Sequence, residues 1–160
     1  MAAASLPTPK DVRDVLEGLL GRDIDLSTGD AALAEGKQPV VAEYVTDTGK
    51  VAACAAVDLE LAIYLGAAVS LAPPKGAQEM AAEGELTPMF EENLYEIFNV
   101  FSSLLRSDAT AQVQLSGMYG PEQELPTQLA GWLSTPVGRL DLKIDVSSYG
   151  GGCLVLATGW

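Results

Sequence analysis

Residues 87–106, TPMFEENLYEIFNVFSSLLR, constrain the fold most, because they predict the longest helix of the chain. Thr87 suits the N-cap, where its hydroxyl can accept a backbone hydrogen bond. Pro88 suits the first helical position, where its missing N–H would have no partner anyway. Apolar residues recur at helical spacing and predict one broad buried face: Phe90, Leu94, Ile97, Phe98, Phe101, Leu104 and Leu105.

A narrow polar stripe lies on roughly the opposite side of this helix. Glu92, Glu96, Asn99 and Ser103 follow one another at spacings of four, three and four residues, which places them on one side of a helix. An ordinary solvated face would explain such a stripe. However, Asn is a poor residue for mid-helix, because its amide competes for backbone hydrogen bonds. Asn99, one turn after Glu96, is therefore a candidate functional residue.

The chain contains no histidine, which restricts the chemistry it can perform. Imidazole bases, serine triads with histidine and His-containing metal sites are all excluded. The two cysteines, Cys54 and Cys153, lie in apolar, strand-like runs and are predicted to be reduced core residues. No metal site is predicted, and any reaction must use carboxylates, amides, hydroxyls, the backbone or a partner.

The charge balance argues against nucleic acid and anionic membranes as partners. Among 160 residues, 22 are acidic and 9 are basic, for a net charge of −13, and such a surface repels phosphates. The N-terminus, MAAASLPTPK, lacks the pattern of a secretory signal, and the most apolar stretch is too short and interrupted to span a bilayer. We therefore predict a cytoplasmic protein.

The remaining elements predict an α+β fold. Residues 39–46 and 50–57 form one predicted hairpin around a Gly turn, and residues 138–147 and 153–158 form another. A further strand is predicted over 111–119 and helices over 9–20, 59–70 and about 77–82, with a loop at 120–136 that contains a possible short helix. Each half of the chain thus starts with a helix and contains a hairpin.

The predicted architecture has two layers, an antiparallel-dominated sheet with helices packed on one face. Residues 1–8 are predicted to be a flexible lead and 9–160 a single domain.

This layout resembles the CheC/CheX/FliY family of chemotaxis phosphatases, and its single-site CheX branch most closely. The resemblance covers nearly the whole chain. A first helix ending in LLG is followed by a hairpin, a helix opening with an acid in VDLELAIYLGAA, and a linker. The next helix then carries a Glu-x-x-Asn motif, here Glu96-Ile97-Phe98-Asn99.

The sequence departs from the family pattern at several positions. Glu92 stands where the family has Asp or Ser, and Pro121 comes one place early. The turn after the Asn, which includes Phe101, is bulkier than the usual small residues. The first helix carries Asp14 and Glu17 but no Asn, so the resemblance implies one site at most.

The resemblance implies hydrolysis of the aspartyl phosphate on a CheY-type response-regulator receiver domain in two-component signalling. Asn99 would orient the attacking water and Glu96 would pair with the active-site lysine of the receiver, because positioning is the main demand in phosphoryl transfer. Glu92 and Ser103 would contact the partner. The chain itself would bind no cofactor, since the receiver supplies Mg²⁺. A homodimer is possible, as CheX-type relatives can pair.

Two other functions stay open. The same fold could bind a receiver or another signalling partner without useful hydrolysis, or it could be a structural or oligomer-forming domain. Solvent exposure distinguishes the phosphatase from the binding module. Hydrolysis requires Glu96 and Asn99 to be solvent-facing, whereas burial, or cover by the loop at 120–136, would favour a binding module.

Overall fold

The computed structural model describes residues 6–29, 39–105, 113–134 and 138–158. Within these ranges the chain forms five helices and six strands. In chain order they are α1 (Pro9–Leu20), β1 (Ile24–Thr28), β2 (Val40–Val45), β3 (Val51–Val57), α2 (Leu59–Val69), α3 (Pro74–Glu83), α4 (Pro88–Phe101), β4 (Gln114–Tyr119), α5 (Thr127–Ser134), β5 (Arg139–Val146) and β6 (Gly150–Thr158).

The strands form one antiparallel sheet in the order β1-β5-β6-β3-β2-β4. The two predicted hairpins, β2–β3 and β5–β6, lie at its centre and pair with each other through β3 and β6. Gly49 has a φ of +85° in the first hairpin turn, a conformation that favours glycine. The predicted α+β class with an antiparallel sheet is confirmed.

The two halves of the chain occupy equivalent places in this sheet. Each half supplies a central hairpin and one edge strand, and each edge strand follows a helix: α1 precedes β1, and α4 precedes β4. Each edge strand pairs with the hairpin of the other half, β1 with β5 and β4 with β2. The helices α1 and α4 are therefore structural counterparts.

Both faces of the sheet are covered at its centre. Along β3, Ala53 and Ala55 face the core beneath α1–α4, while Cys54 and Ala56 face the opposite side and pack with Leu129 of α5. The prediction of helices on one face thus holds for α1–α4, whereas α5 lies on the other face. The reason is that β3, VAACAAV, is apolar on both sides, so each side needs a cover.

The helix α4 ends earlier than the predicted boundary at 106. It stops at Phe101, and the chain then tightens into a turn in which Ser102 N donates to Asn99 O (3.2 Å) and Ser103 N donates to Val100 O (3.1 Å). The two serine hydroxyls donate to the same carbonyls, at 2.6 and 2.8 Å. Serine side chains that compete for helical carbonyls in this way favour a helix end. Arg106 lies outside the described residues.

Other differences are at element boundaries. The helix α3 begins at Pro74, three residues before the predicted start, and β4 begins at Gln114, with 111–112 outside the described ranges. Residues 1–5 of the predicted lead, residues 135–136 of the predicted loop, residue 137, and residues 159–160 also lie outside them. Thr8, placed in the lead by the sequence, caps α1 by accepting a hydrogen bond from Asp11 N at 3.1 Å.

Candidate functional site

The helix α4 is held in place by close contact with α2. A Cβ added to Gly66 in α2 would lie 2.7 Å from Phe90 Cβ and 2.7 Å from Phe90 O, so only glycine fits there. The side-chain amide of Asn93 donates to the Gly66 carbonyl at 2.9 Å. This contact fixes which face of α4 is buried, because Asn93 and Phe90 lie on the side toward α2.

A buried tyrosine positions the end of α4. In a regular helix Ser102 N would donate to the Phe98 carbonyl, but here it donates to Asn99 O instead. The Tyr44 hydroxyl, buried beneath the helix, donates to the Phe98 carbonyl at 2.6 Å. Burial raises the pKa of Tyr44 well above its usual value, so this hydroxyl keeps its proton. The hydrogen bond therefore anchors the backbone directly before Asn99.

The structure places all four predicted site residues on the solvent side of α4 and the turn after it. Glu92, Glu96, Asn99 and Ser103 are exposed. Ser103 Oγ donates to Val100 O at 2.8 Å. Among the residues that the structure describes, the side chains of the other three have no hydrogen-bond or ion-pair partner. The exposure required for hydrolysis is therefore met by Glu96 and Asn99, and residues 120–134 of the predicted loop do not bury them.

The helix α4 carries only negative charges, and its side that holds Asn99 is less crowded than the sequence suggested. Between them, α4 and β4 contain no Lys or Arg, so Glu96 is available to pair with a cation of a partner. Of the bulky residues after Asn99, Phe101 is fully buried and lies away from the site. Val100 is 38% exposed and is the apolar side chain that borders the stripe there.

Exposed apolar residues flank the polar stripe, a feature that the sequence analysis missed. Met89 is 54% exposed and Tyr95 38%. Tyr95 also lines an open pocket of about 260 Å³ between α4 and β4, together with Pro88, Glu91, Glu92 and Met118. The available signal was that Met89, Tyr95 and Val100 do not follow the spacing of the buried face of α4.

The part of the chain that the structure describes contains neither a grouped set of metal ligands nor a membrane-spanning helix. Within the ranges 6–29, 39–105, 113–134 and 138–158, no three Cys, Asp or Glu side chains are grouped so that they could hold a metal ion. In the same ranges, no helix is long and apolar enough to cross a bilayer.

The fold matches solved structures of flagellar and chemotaxis proteins. The FliM middle domain from H. pylori superposes with a TM-score of 0.59 at 6% identity, over 94% of this chain and 84% of that one. A chemotactic CheC-like protein from Shewanella oneidensis gives 0.47 at 11% identity, over 94% of both chains. CheX from Borrelia burgdorferi, solved as a CheX–CheY–BeF3–Mg complex, gives 0.46 at 12% identity, over 93% of both chains.

This chain has the fold of the FliM middle domain. The resemblance predicted from the sequence is thus confirmed for the fold. No protein-family model and no curated protein matches the sequence. At such low identity the fold carries no assignment of activity, which has to be argued from the residues on α4.

Proposed function

We propose that this protein is a phosphatase that hydrolyses the aspartyl phosphate of a CheY-type receiver domain. The observation that carries the proposal is the pairing of Glu96 and Asn99 on α4. They lie one helical turn apart, both exposed, and neither has a side-chain partner among the described residues. The receiver class is taken from the Glu-x-x-Asn resemblance, and a receiver substrate would place the protein in the cytoplasm.

The chemistry asks little of the phosphatase beyond positioning. An acyl phosphate is already activated, and the receiver contributes the Mg²⁺ and a lysine. The Asn99 side-chain oxygen accepts a hydrogen bond from a water and directs it in line at phosphorus. The bond between phosphorus and the receiver aspartate breaks, which releases the aspartate carboxylate and inorganic phosphate. Glu96 pairs with the lysine and fixes the docking register.

The second candidate is a module that binds a receiver or another signalling partner without useful hydrolysis. The observation that favours it is Val100, which is 38% exposed one residue after Asn99, where the family usually has a small residue. A branched side chain there reduces the space for a receiver active site. Both candidates use the same face of α4.

The test is phosphate release from a panel of phosphorylated receiver domains of the host. We expect wild type to accelerate release from at least one receiver, and Asn99→Ala to lower that rate by about a hundredfold, since lost positioning costs this much. Gln128→Ala is the matched control, because it removes another exposed helical amide, on α5. It should behave as wild type. Equal rates for Asn99→Ala and wild type would refute the assignment, and binding without acceleration would favour the module.

A further inference from the structure

The exposed apolar side chains of this protein concentrate at the proposed site. Among the described residues, five large hydrophobic side chains are exposed, and three of them, Met89, Tyr95 and Val100, lie on α4. They border the polar stripe on both sides, Met89 and Val100 on one side and Tyr95 on the other. Clustered exposed apolar groups within a polar rim are typical of a protein interaction surface.

The pocket beside Tyr95 combines apolar walls with two carboxylates. Pro88 and Tyr95 of α4 and Met118 of β4 supply the apolar surface, and Glu91 and Glu92 supply the charge. Both glutamates are exposed and have no partner among the described residues. Because neither α4 nor β4 contains a Lys or Arg, this chain brings no cation of its own to the pocket from either of the elements that line it.

We propose that this pocket, the α4–β4 pocket, receives an arginine side chain of the docked receiver. An arginine has an apolar stem that fits against Pro88 and Met118, and a planar guanidinium that stacks on an aromatic ring such as Tyr95. The same guanidinium can pair with a carboxylate through two parallel hydrogen bonds. Charge complementarity therefore selects a basic partner residue, and the flat tyrosine surface selects arginine over lysine.

The inference rests on the proposed function, because the partner is the same receiver. The pocket adds a second anchor to the ion pair between Glu96 and the receiver lysine. It lies closer to the start of α4, because Pro88 and Glu91 are in the first turn of that helix. Two separated contacts fix the orientation of a docked protein. The pocket therefore contributes to partner choice and to KM, while Asn99 sets kcat.

The experiment compares pocket variants in the phosphate-release assay with the full chain. Tyr95→Ala is expected to raise KM about tenfold, as for an aromatic interface anchor, and Glu91→Gln about threefold, as for an exposed ion pair. Neither should change kcat. Glu79→Gln is the matched control, because it removes an exposed carboxylate on α3, away from the pocket, and should leave KM unchanged.

An alanine scan of the arginine, lysine and apolar surface residues of the receiver identifies the occupant. One Arg→Ala receiver variant should raise KM with wild type but not with Tyr95→Ala, since the two changes remove the same contact. Coupling to a lysine or an apolar residue would overturn the arginine assignment.

The outcomes separate the pocket from the proposed function. Unchanged KM for Tyr95→Ala and Glu91→Gln, with hydrolysis intact, would overturn the pocket alone. If wild type hydrolyses no receiver phosphate, receiver binding is measured by titration instead. Weaker binding by both variants would then support the pocket and overturn the phosphatase. Absence of both binding and hydrolysis for every receiver would overturn both.

Discussion

The helices α1 and α4 occupy equivalent places in the fold but use their polar faces differently. Both begin with a Thr-Pro pair, and both precede an edge strand. When they are aligned by their buried residues, Asp14 corresponds to Glu92, Gly18 to Glu96 and Gly21 to Asn99. The buried residues that set this alignment are Val12, Leu16 and Leu20 in α1 and Phe90, Leu94 and Phe98 in α4. The helix α1 therefore lacks both members of the pair.

The carboxylates of α1 are engaged within its own half of the chain. Lys10 Nζ pairs with the Asp14 carboxylate at 2.7 Å, and Glu17 Oε2 accepts a hydrogen bond from Ile24 N at the start of β1. The carboxylates of Glu92 and Glu96 have no such partners among the described residues. The carboxylates of α1 thus stabilise its own half of the chain, while those of Glu92 and Glu96 in α4 are available for a partner.

The largest expected effect comes from the glycines that pack beside or lie within these helices. Gly66→Ala should destabilise the protein by about 2 kcal/mol or more, because the new Cβ meets Phe90 Cβ and O at 2.7 Å. Gly18→Ala in α1 should instead stabilise it by about 0.5–1 kcal/mol, since nothing lies within 4 Å of the added Cβ and Ala has the better helix propensity. Denaturant unfolding of both variants checks the prediction, and equal effects would contradict the close packing of α4 on α2.

A smaller effect is expected from the hydrogen bond that fixes the end of α4. Tyr44→Phe leaves the Phe98 carbonyl without its buried donor and should lower the free energy of unfolding by about 1–3 kcal/mol. It should also slow phosphate release, because the backbone before Asn99 loses its anchor. Tyr119→Phe is the control, since that hydroxyl makes only a long contact of 3.5 Å with Glu43. A Tyr44→Phe variant with unchanged stability and activity would show that Tyr44 does not position the site.

Much of the fold could be predicted from the sequence, because its signals are local. The bounds of α1, Pro9–Leu20, agree with the prediction, and the Gly49 turn marked the first hairpin. The serine pair after Phe101 is a local signal for the end of α4. The hydrogen bond from Tyr44 that anchors this end could not be predicted, because Tyr44 lies far away in sequence. The position of α5 depends likewise on which sheet face remains uncovered.

The candidate site divides in the same way. Helical spacing alone placed Glu96 and Asn99 on one exposed side of α4. The α4–β4 pocket could not be predicted from the sequence, because Met118 and Tyr95 line one pocket only once β4 pairs with β2 at the edge of the sheet. The catalytic roles of Glu96 and Asn99 stay predictions, because they depend on the receiver.

The smallest expected effect tests the contrast between the two polar faces directly. Glu17→Ala should lower the free energy of unfolding by about 0.5–1.5 kcal/mol, because Ile24 N loses its acceptor. Asn99→Ala should raise it by about 0.5 kcal/mol, because Ala has the higher helix propensity and the substitution breaks no side-chain hydrogen bond. Thermal unfolding of the two variants and of wild type measures the sign of each change in the free energy of unfolding. A loss of stability in Asn99→Ala would mean that its amide is structural, as Glu17 is in α1, and that α4 has no face kept free for a partner.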